Sequence, residues 1–205
     1  MKFKICGMSN FKNIKDVSEL NPDYMGFIFW EKSLRFINNS TPNLTSNIKK
    51  TGVFVDQSID YIENKIKEHK LQAVQLHGKE TPDYCDLINQ LGVETIKAFS
   101  VSEGFNFKNL KSYEKYCNFY LFDTKGKLPG GNGFSFDWKI LKNYLSDKPF
   151  FLSGGIGLEH IKEIRELLTT DLPIYAIDVN SKFEIIPGKK KIKELSQFKR
   201  KLYEL

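Results

Sequence analysis

Short apolar runs recur along the chain at close to regular spacing: Phe3–Cys6, Tyr24–Phe29, Gly52–Val55, Ala73–Leu76, Thr95–Phe99, Phe119–Phe122, Phe150–Leu152 and Tyr175–Val179. Each has strand length and is bounded by polar residues or glycine. Continuously apolar strands suit a parallel sheet buried on both faces. Helical periods fall between them: Phe11, Ile14 and Val17 share a face, as do Ile59, Ile62 and Ile66, and Tyr84, Leu87, Ile88 and Leu91. Two more stripes follow, Leu158, Ile161, Ile164, Leu167 and Leu168, then Ile192, Leu195 and Phe198. Thr81-Pro82-Asp83 reads as a helix start, a capping hydroxyl followed by proline at the first helical position. The polar stretch Asn38–Asn47 predicts only a weak helix, and the segment after the fifth strand is equally hard to assign.

Strands alternating with helices define an α/β fold with parallel strands. Eight such repeats in 205 residues match the lower end of (β/α)8 barrels, with residues 1–205 read as one domain. An open, doubly wound sheet would usually carry a nucleotide fingerprint after its first strand. Cys6-Gly7-Met8-Ser9 stands there instead, and neither GxGxxG nor GxxxxGK[ST] occurs.

Hydrophobic residues make up 40% and charged residues 27%, a globular balance. The net charge of +6 favours anionic partners, either nucleic acid or a phosphorylated metabolite. The lysine cluster Lys189, Lys190, Lys191 and Lys193 precedes an amphipathic run and reads as a solvated helix start. No aromatic–basic signature accompanies it, so a nucleic-acid partner is not expected. Cys6, Cys85 and Cys117 are odd in number and form no CxxC, which argues against a disulfide framework or a zinc site. No histidine pair has ligand spacing, so no metal is expected, and no cofactor. The start MKFKIC has no signal-peptide core and no segment reaches membrane-spanning length, so a cytoplasmic protein is expected.

In such barrels the chemistry sits where strands run into their following loops. Strand one ends in Cys6, a thiol that can serve as base or nucleophile if a nearby cation lowers its pKa; a small buried hydrophobe is the equal alternative. Strand six ends in Asp123, a carboxylate after four apolar residues, costly unless used or paired and so a candidate acid or base. Gly130-Gly131-Asn132-Gly133 follows it and suits a loop that closes over a ligand. Strands seven and eight end in Ser153-Gly154-Gly155 and Asp178-Val179-Asn180-Ser181, the two places where these barrels often hold phosphate. Arg35 can pair bidentately with a carboxylate or be an ordinary surface arginine. His77 ends strand four as a possible acid or base, or as a residue that shapes its loop.

Together these segments resemble the phosphoribosylanthranilate isomerase family. The match runs in family order through Lys4-Ile5-Cys6-Gly7-Met8, Gly26-Phe27-Ile28-Phe29, Ser33-Leu34-Arg35-Phe36, Gly52-Val53-Phe54-Val55 and Val74-Gln75-Leu76-His77-Gly78. It continues with Phe122-Asp123-Thr124, Gly130-Gly131-Asn132-Gly133 with Phe136-Asp137-Trp138, Leu152-Ser153-Gly154-Gly155, and Asp178-Val179-Asn180-Ser181 leading to Pro187-Gly188. The resemblance implies an Amadori rearrangement of N-(5-phosphoribosyl)anthranilate. It makes Asp123 the general acid and Cys6 the general base, gives Arg35 the anthranilate carboxylate, and gives Gly154, Gly155, Asn180 and Ser181 the phosphate. His77 and Asp178 are candidates for supporting these groups. The implied partner is the small phosphoribosyl substrate, and the chain is expected to be a monomer or homodimer. Two departures stand out. Lys182 and Phe183 replace a usual glycine and small apolar residue, which bears on the shape of the phosphate loop. Lys189-Lys190-Lys191 follows the Pro-Gly turn where an acidic residue is common.

The alternatives are the related sugar isomerase of histidine biosynthesis or a dual-substrate enzyme, against which Cys6 in the base position argues. An epimerase of ribulose phosphate would want several metal-ligating side chains at the strand ends. A non-catalytic phosphate-binding module has no need for both Cys6 and Asp123.

Overall fold

The computed structural model describes residues 1–124 and 137–204. Eight strands, β1 (Lys2–Ile5), β2 (Tyr24–Ile28), β3 (Lys49–Phe54), β4 (Ala73–Leu76), β5 (Glu94–Val101), β6 (Phe119–Thr124), β7 (Phe150–Leu152) and β8 (Ile174–Val179), close into one barrel. All neighbours pair in parallel, and β8 returns to β1 with Asp178 opposite Lys4. Every expected strand is present, and Ala73–Leu76 and Phe150–Leu152 keep the expected bounds.

Side chains alternate across each strand, and the two sides of the barrel wall differ. Phe3, Ile5, Phe27, Val74, Phe122 and Phe150 face outward onto the helices. Tyr24, Ala73, Ile96, Ala98, Leu121, Phe151 and Ala176 fill the inside. The same inward parity carries Lys4, Gln75, Asp123 and Asp178 to the open end.

The outer layer is less regular than the repeat suggested. Five α-helices lie among the described residues: α1 (Phe11–Ser18), α2 (Ile59–His69), α3 (Pro82–Asn89), α4 (Ile161–Leu168) and α5 (Ile192–Tyr203). Thr81 caps α3 as its sequence implied, its Oγ1 accepting from the Tyr84 amide at 3.3 Å. The weak helix expected within Asn38–Asn47 is absent; that stretch is irregular, as its turn-forming residues and lack of an apolar stripe dictate. Among the described residues, the connections after β5 and β6 hold 3₁₀ helices and no α-helix, Phe107–Tyr113 and Trp138–Asn143. Phe11 and Leu87, assigned to buried faces, are 67% and 46% exposed because each sits at the edge of its stripe. The glycine-rich segment 130–133 lies outside the described residues.

A further element was not anticipated. After β8 a 3₁₀ turn, Ser181–Phe183, leads into a short antiparallel hairpin, β9 (Glu184–Ile186) and β10 (Lys189–Lys190). The reading of the late lysines as a solvated helix start is therefore wrong for Lys190, which is 1% exposed. Its amide and carbonyl are taken by the Asn13 side chain, which draws β10 against the barrel mouth.

Candidate active site

The loop-bearing end of the barrel holds a cavity lined by Cys6, Arg35, Gln75, His77, Asp123 and Ser153, with Gly154, Gly155, Asp178, Asn180 and Ser181 also on its wall. Residues scattered over six strand ends thus share one space. A wider cleft lies between Phe105–Leu110 and Ile140–Ser146, but it gathers none of these groups.

One polar chain crosses the floor. The Lys4 ammonium, wholly buried, donates to Gln75 Oε1 at 2.7 Å and to Asp178 Oδ2 at 3.0 Å. Because Gln75 spends its oxygen on Lys4, its Nε2 must donate onward, and it meets His77 Nδ1 at 2.9 Å. A neutral His77 that accepts at Nδ1 carries its proton on Nε2. That nitrogen lies 3.3 Å from Asp123 Oδ2. The approach is too oblique for a hydrogen bond, so Nε2 has no bonded partner among the described residues. Asp123 is held from the other side by the Thr124 amide, 2.8 Å from Oδ1. Ser153 adds a donor to Asp178 Oδ2 at 3.2 Å, while Asp178 Oδ1 is buried with no hydrogen-bond partner among the described residues. Burial drives the Asp178 carboxyl above its ordinary range, only partly countered by Lys4.

Cys6 is 4% exposed. Its sulfur fits because β2 presents Gly26: a Cβ there would sit 2.6 Å from Sγ. Burial pushes the thiol above its ordinary pKa, against the attraction of Lys4 and Lys190. The other two cysteines stay in the outer core, as expected.

Arg35 has a carboxylate partner already. Its Nε lies 2.9 Å and its Nη2 2.6 Å from the two oxygens of Glu184. The bidentate pair that the sequence suggested is thus internal, leaving Nη1 with no partner among the described residues. Lys190 joins the same group: its ammonium donates to Glu184 Oε1 at 2.8 Å, to Asn180 Oδ1 at 2.6 Å and to the Asn180 carbonyl at 3.2 Å. Burial lowers the Lys190 pKa to about 8 despite Glu184. Burial would raise the Glu184 carboxyl, but Arg35 and Lys190 outweigh it and hold it below its usual value.

Gly154 and Gly155 have φ of 94° and 63°, a conformation that glycine adopts cheaply. Their amides donate to no acceptor among the described residues. They line the cavity together with Asn180 and Ser181 from the neighbouring loop after β8. Lys4, Gln75, Glu184 and Lys190 escaped the sequence reading. The signal that exposed Asp123, a polar residue inside an apolar run, was equally present at Lys4 and Gln75.

A closed parallel barrel with a thiol, a carboxylate, a guanidinium and a glycine-bearing loop at its mouth has the make-up of a sugar-phosphate isomerase. The comparisons with known proteins narrow the class. The family model for N-(5'-phosphoribosyl)anthranilate (PRA) isomerase matches residues 3–201. The N-(5'-phosphoribosyl)anthranilate isomerase of Parabacteroides distasonis is 40% identical, covering 97% of this chain and 91% of the relative. A phosphoribosylanthranilate isomerase solved with reduced 1-(o-carboxyphenylamino)-1-deoxyribulose 5-phosphate superposes with a TM-score of 0.83 at 28% identity, over 100% of both chains. Monomers of the dimeric isomerase from Thermotoga maritima give 0.78 at 27% identity, again over 100% of both chains. The chain belongs to the phosphoribosylanthranilate isomerase family.

Proposed function

We propose that this chain converts N-(5-phosphoribosyl)anthranilate to 1-(2-carboxyphenylamino)-1-deoxyribulose 5-phosphate, a step of tryptophan biosynthesis, with Asp123 as general acid and Cys6 as general base. Asp123 gives a proton to the ribose ring oxygen as the C1–O bond breaks, and the anthranilate nitrogen supplies the electrons that form the Schiff base. The Cys6 thiolate then takes the proton from C2, and the freed pair flows to the iminium to give the enolamine, which tautomerises to the ketone. The observation that carries the reading is that Cys6 and Asp123 share one cavity with Arg35 and the loops after β7 and β8. Anchoring the substrate at its phosphate and at its carboxylate fixes the ribose between acid and base, an orientation effect. Gly154, Gly155, Asn180 and Ser181 hold the phosphate, and the free Nη1 of Arg35 receives the carboxylate. His77 and Asp178 support Asp123 and Lys4 without touching the reacting bonds. We read the chain as a cytoplasmic monomer or homodimer; no helix among the described residues is long and apolar enough to cross a membrane.

The test is to mix the protein with freshly made phosphoribosylanthranilate and follow its fluorescence decay against a no-enzyme control. Rapid loss is expected, with the ribulose phosphate product identified by mass-spectrometric fragmentation. Cys6→Ala and Asp123→Asn are each expected to lower kcat by about 10²–10⁴-fold, the usual worth of a positioned acid or base. Wild-type turnover in either folded variant would remove that residue from the mechanism. No acceleration by the parent protein, with turnover of the imidazole-ribotide substrate, would move the chain to the histidine-pathway reaction.

A further inference from the structure

Cys6 presents a problem that the acid–base assignment alone leaves open. A base at carbon needs a thiolate, yet burial opposes that charge. Thiolates persist where a fixed cation lies beside them, and the surroundings of Cys6 hold two. Lys4 stands two residues before it on β1, on the same inward face. Lys190 reaches in from β10. Their free valences differ. An ammonium has three donors. Lys190 spends all three, on Glu184 Oε1, Asn180 Oδ1 and the Asn180 carbonyl. Lys4 spends two, on Gln75 and Asp178, and has no third oxygen acceptor among the described residues.

Among the described residues, one further charged group acts on the sulfur. Gly26 on β2 brings no side chain. Asp178 on β8, directly opposite Lys4 in register, repels a thiolate and binds the same ammonium. Beyond it, Asp123 faces Asp178, and Arg35 faces Lys190. We infer that Lys4 is the cation that holds the Cys6 sulfur as a thiolate for the reaction, and that Asp178 competes with the sulfur for the same ammonium. When the thiolate forms, the thiol proton leaves to water; the thiolate then takes the C2 proton of the substrate and is a thiol again. Lys4 touches no substrate atom; it acts through the Cys6 sulfur and is a positioning residue. The inference rests on the reading of Cys6 as base, but it is tested on the sulfur itself.

The experiment is the pH dependence of iodoacetamide alkylation at Cys6, read by peptide mass spectrometry so that Cys85 and Cys117 do not contribute. Alkylation follows the thiolate fraction, so one unit of pKa appears as about a tenfold change in rate below the midpoint. Lys4→Gln is expected to slow alkylation at neutral pH at least about tenfold, with Lys4→Arg restoring part of it. Asp178→Asn should act in the opposite sense and speed it. The deciding comparison is Asp178→Asn against the double variant with Lys4→Gln. Position 178 is uncharged in both, so the remaining difference is the lysine's own effect, and the double variant should be slower by about tenfold. Equal rates in that pair, or slower alkylation in Asp178→Asn than in the parent, would overturn the inference. Should Lys4→Gln fail to fold by circular dichroism, Lys4→Met takes its place in the deciding pair, with the same roughly tenfold slowing expected and equal rates overturning the inference. If the alkylation rates behave as expected but Cys6→Ala retains full turnover, the cysteine's role as base fails while the Lys4–sulfur coupling stands.

Discussion

Two lysines of this barrel look alike in composition and differ in what surrounds them. Lys4 and Lys97 both lie within strands, both are buried, and each pairs with a buried carboxylate. Lys97 points outward from β5, toward α3 and the loop after β4. There it donates to the carbonyls of Leu76, Gly78 and Ala98 and to Glu80 Oε2 at 2.9 Å. Glu80 is filled in turn by the amides of Asp56 and Gly78. Lys4 points inward and has two oxygen acceptors among the described residues, and its partner Asp178 leaves one buried oxygen with no partner among them. A saturated buried ion pair fastens loops. One with unused valences under a cavity costs stability that nothing in the fold returns, and that cost marks the group as working on something else.

The largest expected effect breaks the comparison at its structural arm. Lys97→Met leaves Glu80 buried without its cation and removes the donor for three carbonyls. Removing one partner of a buried pair typically costs about 3–5 kcal/mol. Urea unfolding should show that loss, while kcat per folded molecule stays at the wild-type level. A fall in kcat with unchanged stability would show that Lys97 also reports to the site.

Glu184 falls between the two arms, since it fastens β10 and also fixes Arg35. Glu184→Gln keeps the shape but loses the charge that aligns the guanidinium. KM should rise about tenfold with kcat changed far less, because the lost interaction is binding that ground and transition states share. The pH sign follows from the depressed carboxyl. Its ionised form contributes stability above the ordinary value of 4.5, and that contribution is lost as pH falls through the lower folded-state pKa. Denaturation curves of parent and variant should therefore differ most at neutral pH and converge in acid. Lys190 softens the loss, since a pKa near 8 lets it shed its charge cheaply.

How far the sequence could be read follows the same division. The strands were legible because an inward and an outward apolar layer leave continuous runs, and Thr81-Pro82 announced its helix by chemistry that acts locally. Cys6, Asp123, Gly154 and Asn180 were legible because this architecture exposes strand ends. The connections after β2, β5 and β6 were not, because no apolar stripe forces a full helix there and tertiary packing decides. Glu184 and Lys190 were hidden for another reason. They lie beyond the last barrel strand, and only the hairpin folding back past Asn13 brings them to Arg35, a contact 149 residues apart in the chain. A lysine within a lysine run reads as solvated until the fold shows which one is turned inward. Lys4 was legible in principle, as a charge between Phe3 and Ile5 in a strand with no solvent face.

The smallest expected effect tests an ion pair that belongs to neither arm. Lys182 stands where a glycine is usual in the resembling family, beside the proposed phosphate loop, and pairs with Glu159 at 3.1 Å. Both side chains are well exposed, 37% and 54%. Positive φ outside glycine occurs at Asn21, Asp56 and Lys70 and not at Lys182, so the backbone here does not require a glycine. Lys182→Ala should shift the unfolding free energy by less than about 1 kcal/mol, as exposed pairs do. Lys182→Gly should be the less stable of the two, because glycine adds freedom only to the unfolded chain when φ is ordinary. If Lys182 adds charge to the phosphate, KM should rise about twofold at low ionic strength and return to the parent value in high salt, where an exposed charge is screened. A glycine variant more stable than the alanine one would show that the lysine is strained after all, and would give its retention beside the phosphate loop a binding rationale.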